Sequence, residues 1–239
     1  MWLRRIAFLL LAIVALPLLA KAQSLVNSDD SSRATILPSA PDATPTRPDP
    51  TYIRPTGKTK LRNYVFDAFG PYPIVGAGFA AGINQAYNTP PEWKQGAEGY
   101  GKRFGSDFAI AAVSTTTRYT LARAFGEDTL YYRCECKGVL PRLSHALIST
   151  FTARRGDDGH RVFSLPALVA PYAGTMTAVY AWYPGRYSAM DGFRMGNYSL
   201  LGYAGGNVAL EFLYSGPHSW LSRLHLNNGH GAQNPGSAP

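Results

Sequence analysis

The chain has 239 residues and a formal net charge of +8, from 23 Lys and Arg against 15 Asp and Glu. Charged residues make up only 16% of the sequence, where roughly 25% is usual for a soluble domain. The basic residues are scattered and form no stripe or binding motif, which excludes nucleic acid as a partner class. Low charge with 24 Gly and 15 Tyr predicts a protein that buries much of its surface in itself, in a partner or in a membrane.

The N-terminus has the pattern of a cleavable signal peptide over residues 1–22. Two arginines precede an apolar run over residues 6–19, and Ala20 and Ala22 supply the small residues that signal peptidase requires. The run is shorter than the roughly 20 residues of a membrane-spanning helix, which favours cleavage after Ala22 over a retained anchor. Cleavage removes three of the 23 basic residues and lowers the net charge from +8 to +5. The pattern predicts export to the outer membrane or the periplasm.

Residues 23–62 have the composition of a disordered, Pro-rich tether. Six prolines lie between Pro38 and Pro55, mixed with Ser, Thr, Asp and Arg, and the apolar residues are sparse and not periodic. Such a segment buries too little apolar surface to offset its ordering entropy. Residues 227–239 have a similar composition and are predicted to form a disordered tail. The folded domain is therefore predicted over residues 63–226.

Stretches without formal charge and apolar residues at helical spacing predict five helices in this domain. Proline and glycine mark several of their ends, as Gly126 does for the second helix. We place the helices at residues 75–87, 91–125 with breaks, 141–154, 165–183 and 195–214.

These segments predict an all-α fold, a compact Gly-rich bundle of about five helices. The alternative is a small outer-membrane β-barrel, since about 165 residues suffice for about eight strands. Residues 175–183 contain strong β-formers, but strict alternation of apolar and polar residues rarely persists along the chain. The helical fold is therefore favoured.

Two glycine pairs have the spacing that lets helices approach closely in membranes. Gly78 and Gly82 form one pair, and Gly101 and Gly105 form the other. The glycine-rich stretch over residues 96–105 follows no clear strand and lacks the spacing of a phosphate-binding loop. These glycines therefore indicate close helix packing rather than nucleotide binding.

The sequence contains no recognisable catalytic or metal-binding constellation. Its five histidines lack metalloprotease spacing, and no nucleophile-elbow motif is present. Glu98 and Glu211 lie in weakly charged segments, where a buried acid needs a compensating partner. We predict that they form an internal polar network with Arg103, Arg142 and His145. No catalytic residue, metal or cofactor is predicted.

Cys134 and Cys136 are separated by one residue and are candidates for a disulfide or redox pair. Exported proteins can keep disulfides, although one intervening residue makes the ring tight. An intermolecular bridge is the alternative. A zinc site would need a second ligand cluster, which the sequence does not contain.

Four segments carry a resemblance to known sequences: Pro91-Glu92-Trp93, Gly99-Tyr-Gly-Lys-Arg-Phe-Gly105, His145-Ala146 and residues 207–212. Through them the chain resembles a family of exported envelope proteins from Gram-negative bacteria to which no activity is assigned. The resemblance covers most of the predicted folded domain. It implies export but no particular chemistry.

These observations predict a non-enzymatic envelope protein with a structural or partner-binding role at or in the outer membrane. A membrane or envelope component is the expected partner, and no protein partner can be named from the sequence. Two alternatives remain: a small barrel or pore, and a periplasmic hydrolase that uses a carboxylate pair or His145.

Overall fold

The computed structural model describes residues 52–134 and 136–213. The predicted signal peptide, most of the predicted tether and the predicted tail lie outside these residues. The described part is mainly helical, so the predicted all-α class is confirmed. Six α-helices, one short 3₁₀ helix and three short strands are present in this part of the chain. In order they are α1 Gly57–Phe69, α2 Pro71–Ala86, the 3₁₀ helix Pro91–Trp93, α3 Gly96–Phe125, β1 Glu127–Asp128, α4 Val139–Ile148, β2 Thr152–Arg155, β3 His160–Phe163, α5 Leu165–Ala181 and α6 Ala189–Leu213.

Helix α1 corrects the predicted end of the tether, because residues 57–62 are helical. The hydroxyl of Thr56 accepts a hydrogen bond from the backbone N–H of Thr59 at 3.3 Å and caps the helix. Ordered packing begins before the helix, since Tyr52 is buried and its hydroxyl donates to Asp128 at 3.0 Å. The prolines that indicated a tether end at Pro55, directly before this cap.

The helix predicted over residues 141–154 is wrong in its last part, because α4 ends at Ile148 and a β-hairpin follows. The hairpin turn contains Gly156 and Gly159, both at positive φ, a conformation that glycine adopts readily. Strands β2 and β3 pair antiparallel, with Arg154 opposite Arg161, and β1 pairs antiparallel with β2 on the other side. The turn glycines and β-branched threonines outweigh the four-residue apolar spacing that indicated a longer helix.

Several other predicted helix ends agree with the structure, although α2 and α6 begin at Pro71 and Ala189, before the predicted residues 75 and 195. Helix α3 stops at Gly126, which caps it in the left-handed conformation with φ of 70°. Helix α5 begins after Ser164, whose hydroxyl accepts from the backbone N–H of Ala167 at 3.2 Å. Pro171 lies inside α5, as the sequence indicated.

The long helix α3 has α1 and α2 along one side and α5 along another, while α6 packs on α5 and α4 packs on α6. Small residues make the close approaches between these helices. A Cβ placed on Gly174 of α5 would lie 2.6 Å from the carbonyl oxygen of Ile110 on α3. Between α5 and α6, the hydroxyl of Thr175 donates to the carbonyl of Gly192 at 2.8 Å. The glycine pairs predicted to pack helices closely do not do so, since a Cβ on Gly82, Gly101 or Gly105 would meet no atom of the described residues within 4 Å.

The usual distribution of apolar side chains is inverted in this domain. Of the 13 buried apolar residues in the described part, eight are alanines and none is Leu, Phe, Met or Trp. In the same part, 25 large apolar side chains are exposed. Leu, Ile, Phe and Met are ordinarily among the most buried residue types. No helix within the described residues combines the length and the apolar character needed to cross a bilayer.

Candidate functional site

The structure brings part of the predicted polar network together around Glu211 on α6. The side chain of Glu211 has no exposed surface. One carboxylate oxygen accepts from Nε of Arg142 at 3.0 Å, and the other accepts from the Tyr131 hydroxyl at 2.6 Å and the Cys134 backbone N–H at 3.1 Å. Arg142 also donates to the backbone carbonyl of Glu211. The buried negative charge is therefore compensated by three donors, as its burial requires.

His145 completes this site from the same helix as Arg142. Its Nδ1 lies 3.8 Å from the Glu211 carboxylate and 3.5 Å from the Tyr131 hydroxyl, while Nε2 contacts the guanidinium of Arg161. A guanidinium can only donate, so Nε2 accepts and the neutral ring carries its proton on Nδ1. Burial, and then the charge of Arg161, lower the pKa of His145, which also favours the neutral ring.

We call this group the Glu211 cluster; its members are Tyr131, Cys134, Arg142, His145, Arg161 and Glu211. The cluster joins elements that are distant along the chain. Arg142 and His145 are three residues apart on α4 and so share one face of that helix. The guanidinium of Arg142 also lies 4.6 Å above the ring of Phe212 on α6. These contacts fix α4 against the end of α6.

A disulfide joins Cys134 and Cys136 at the edge of the cluster. The two Cα atoms are 5.1 Å apart, within the usual range for bridged cysteines. The same Cys134 donates its backbone N–H to Glu211. The disulfide therefore constrains the backbone segment that helps to compensate the buried carboxylate.

Arg103 was predicted in the same network but lies at a separate place on α3. Arg103 is fully buried, and its guanidinium donates five hydrogen bonds to the last turn of α2 and to the connection between α2 and α3. The acceptors are the carbonyls of Thr89, Pro90 and Lys94 and the side-chain oxygens of Gln85 and Asn88, at 2.6–3.3 Å. Gly99 leaves room for it, since a Cβ there would lie 2.8 Å from Nη1 of Arg103. Arg103 therefore holds a loop and does not face Glu211.

Glu98 is also outside the cluster. Its side chain is 82% exposed and pairs with Lys102 one turn later on α3, at 2.6 Å. This side of the first turn of α3 faces solvent, so Glu98 needs no buried partner. Of the five residues predicted to form a network, the structure brings Arg142, His145 and Glu211 together and places Glu98 and Arg103 elsewhere.

The chemistry open to the Glu211 cluster is limited by its own hydrogen bonds. The carboxylate has no exposed surface, so a substrate would have to displace one of its donors to reach it. Burial and the hydrogen bond to Glu211 raise the pKa of the Tyr131 hydroxyl, which keeps it protonated as a donor. Within the described residues, no group of three or more His, Cys, Asp or Glu side chains could hold a metal ion. This geometry suits a structural junction.

An open groove of about 370 Å³ lies elsewhere, on α3 and the end of α5. Trp93 and Trp182 line it together with Lys102 and the small residues Gly105, Ser106 and Ala109. The indole N–H of Trp182 already donates to the hydroxyl of Ser106 at 2.9 Å. Asp107 follows Ser106 in the sequence. Burial raises the pKa of its carboxyl to about 6, although Asn84 donates a hydrogen bond to it at 3.1 Å.

Two members of the Glu211 cluster, Tyr131 and Arg161, were not anticipated from the sequence, because they come from a loop and from an unpredicted strand. Two further buried acids, Glu127 and Asp128, were also missed. Asp128 accepts from the hydroxyls of Tyr52 and Tyr132 at 3.0 and 2.6 Å. The abundance of tyrosine was the only sequence signal for these pairings.

The comparisons with known proteins add no further information about this site. The chain matches no protein-family model, and neither a curated protein nor a solved structure is significantly similar to it. The resemblance to exported envelope proteins therefore stays a prediction.

Proposed function

We propose that this chain is an exported cell-envelope protein with a structural or partner-binding role at or in the outer membrane. The observation that carries the proposal is the inverted distribution of apolar side chains. Alanine fills the buried positions, and 25 large apolar side chains are exposed on the described part of the chain. A folded domain that exposes this much apolar surface usually meets another apolar surface when it works.

The hydrolase alternative has less support than a binding role. It needs an acid or base that can reach a substrate, while the carboxylate of Glu211 is enclosed by donors from Tyr131, Cys134 and Arg142. His145 is engaged by Arg161 on one ring nitrogen. These groups serve to join helices rather than to transfer protons.

Fractionation of the host cells, followed by mass spectrometry of the purified chain, tests this proposal. We expect the chain in the membrane fraction, with Gln23 as its first residue because cleavage after Ala22 would leave it there. Recovery in the cytoplasm with an intact N-terminus would overturn the proposal. Recovery as a processed chain in the periplasm, away from membranes, would keep export but overturn the membrane contact.

A further inference from the structure

Helix α2 has an outward face that consists of large apolar side chains. Val75 and Phe79, one turn apart, are 71% and 73% exposed. Ile83 continues the four-residue spacing, and Ile74 precedes Val75 in the sequence; both are also exposed. The helix contains no charged residue over its whole length. Water covers a continuous apolar stripe here, which is unfavourable unless another surface replaces it.

The preceding helix α1 also carries large exposed apolar side chains. Leu61, Val65 and Phe69 are exposed at four-residue steps along it. Only Gly70 separates α1 from α2. We call the seven exposed apolar residues of the two helices the α1–α2 face: Leu61, Val65, Phe69, Ile74, Val75, Phe79 and Ile83.

The exposed charges on α1 are both positive. Lys58 and Arg62 are exposed one turn apart on α1, next to Leu61. Within the described residues, neither has an acidic partner at ion-pair distance. The one acid of α1, Asp67, accepts from the Tyr119 hydroxyl at 2.5 Å, and Lys60 turns inward to the carbonyl of Glu127 at 3.2 Å.

We infer that the α1–α2 face docks on an anionic phospholipid leaflet, with its apolar side chains among the acyl chains and with Lys58 and Arg62 at the headgroups. The inference rests on the proposed function and names its partner. Helices that carry apolar residues and flanking cations on one surface lie in the plane of the membrane interface, at a depth of roughly 5–10 Å.

Charge favours a leaflet over a second copy of the chain as the occupant. A symmetric contact through this face would place the Lys58 and Arg62 side chains of both copies around one apolar interface. Like charges there repel each other. At an anionic leaflet, by contrast, each cation raises the affinity of the chain for the membrane by about fivefold at low salt. The attraction falls as salt screens it.

Vesicle flotation of the chain, purified from its host and freed of detergent, tests the inference. The probes are vesicles of phosphatidylcholine alone and vesicles that also contain phosphatidylglycerol. We expect the chain to bind the anionic vesicles and to bind them more weakly at high salt. Phe79→Ser should lower the affinity for these vesicles by about tenfold or more, because it removes one ring that would be buried in the membrane. Arg62→Gln should lower the affinity about fivefold at low salt and have little effect at high salt.

The matched control is Leu201→Ser on α6, where the side chain is 67% exposed. It should keep binding within about twofold, and circular dichroism should show that both variants are folded. Equal losses for Phe79→Ser and Leu201→Ser would overturn the assignment to the α1–α2 face. Equal binding to neutral and anionic vesicles would overturn the role of the cations.

Three further results distinguish this inference from the proposed function or from a second copy of the chain as the occupant. A chain found with host membranes that binds neither kind of vesicle would overturn the lipid assignment and leave the proposed function standing. A dimer in sedimentation analysis that Phe79→Ser dissociates would identify a second copy as the occupant and also overturn it. A processed chain outside the membrane fraction that binds anionic vesicles would support the lipid assignment while contradicting the proposed function.

Discussion

Replacement of Glu211 by Ala should destabilise the fold more than any other single loss of an acid in the described residues. The carboxylate is completely buried and accepts from Arg142, Tyr131 and Cys134 at 3.0, 2.6 and 3.1 Å. Glu211→Ala leaves a half-buried guanidinium without its carboxylate and leaves a hydroxyl and a backbone N–H without their acceptor. Removal of one partner from a buried pair costs about 3–5 kcal/mol.

The assay is urea denaturation followed by circular dichroism, with thermal unfolding as a second measurement. For a domain of this size the loss corresponds to a fall in melting temperature of roughly 10 °C. Glu98→Ala is the control, because it removes a glutamate whose ion pair with Lys102 is exposed; its unfolding midpoint should not change measurably. The double variant Glu211→Leu with Arg142→Met should lose less unfolding free energy than the two single variants lose in sum, because neither charge is then left without its partner. A loss below about 1 kcal/mol for Glu211→Ala would refute the idea of a buried junction.

Three further predictions concern packing, charge and loop structure. Gly174→Ala should lower the free energy of unfolding, measured by urea denaturation, by about 1–3 kcal/mol because its Cβ would overlap α3. Gly105→Ala is in open space and should raise it by about 0.5–1 kcal/mol. Equal effects of the two substitutions would refute the close contact at Gly174. The pKa of Asp107 is about 6 in the fold and 3.8 in its ordinary state, so the folded chain binds the extra proton and loses stability as pH rises from about 4 to 6. Asp107→Asn should therefore raise the melting temperature at pH 7 but not at pH 4, and no difference between the two pH values would refute this burial. Arg103→Lys should cost about 2–3 kcal/mol in urea denaturation, since an ammonium has three donors for five acceptors; an unchanged midpoint would show that the loop does not need the guanidinium.

The sequence indicated the helices that carry periodic apolar residues and recognisable ends. The end of α3 at Gly126 and the start of α5 near Pro166 agree with the structure. Helix α1 was missed because it follows a proline-rich stretch whose composition dominated the prediction. The hairpin over β2 and β3 was missed because Leu143, Leu147 and Phe151 extend the helical spacing beyond the true end of α4.

The candidate site could be predicted only where burial requires a partner. An acid in a charge-free helix needs a compensating donor, which pointed to Glu211 with Arg142 and His145. The same reasoning failed for Arg103, because carbonyl oxygens can satisfy a guanidinium without any carboxylate. Spacing along the chain does not reveal such acceptors, and it does not place Arg161 of an unpredicted strand beside His145.

The inverted distribution of side chains was only partly foreseeable. Low charge and abundant glycine indicated that the protein buries much of its surface, but they did not distinguish burial within the fold from burial against a membrane. That distinction depends on which side of each helix meets its neighbours. In the structure Ala77 and Ala81 of α2 face inward, and Val75 and Phe79 of the same helix face outward.

The most direct test compares the distribution of the native chain and the Phe79→Ser variant between the membrane and soluble fractions of the host. Both chains must be folded, as judged by circular dichroism. The apolar exterior of α2 predicts that the native chain sediments with the membranes and that a large part of the variant moves to the soluble fraction. An identical distribution of the two folded chains would contradict the claim that this domain works through its exposed apolar surface.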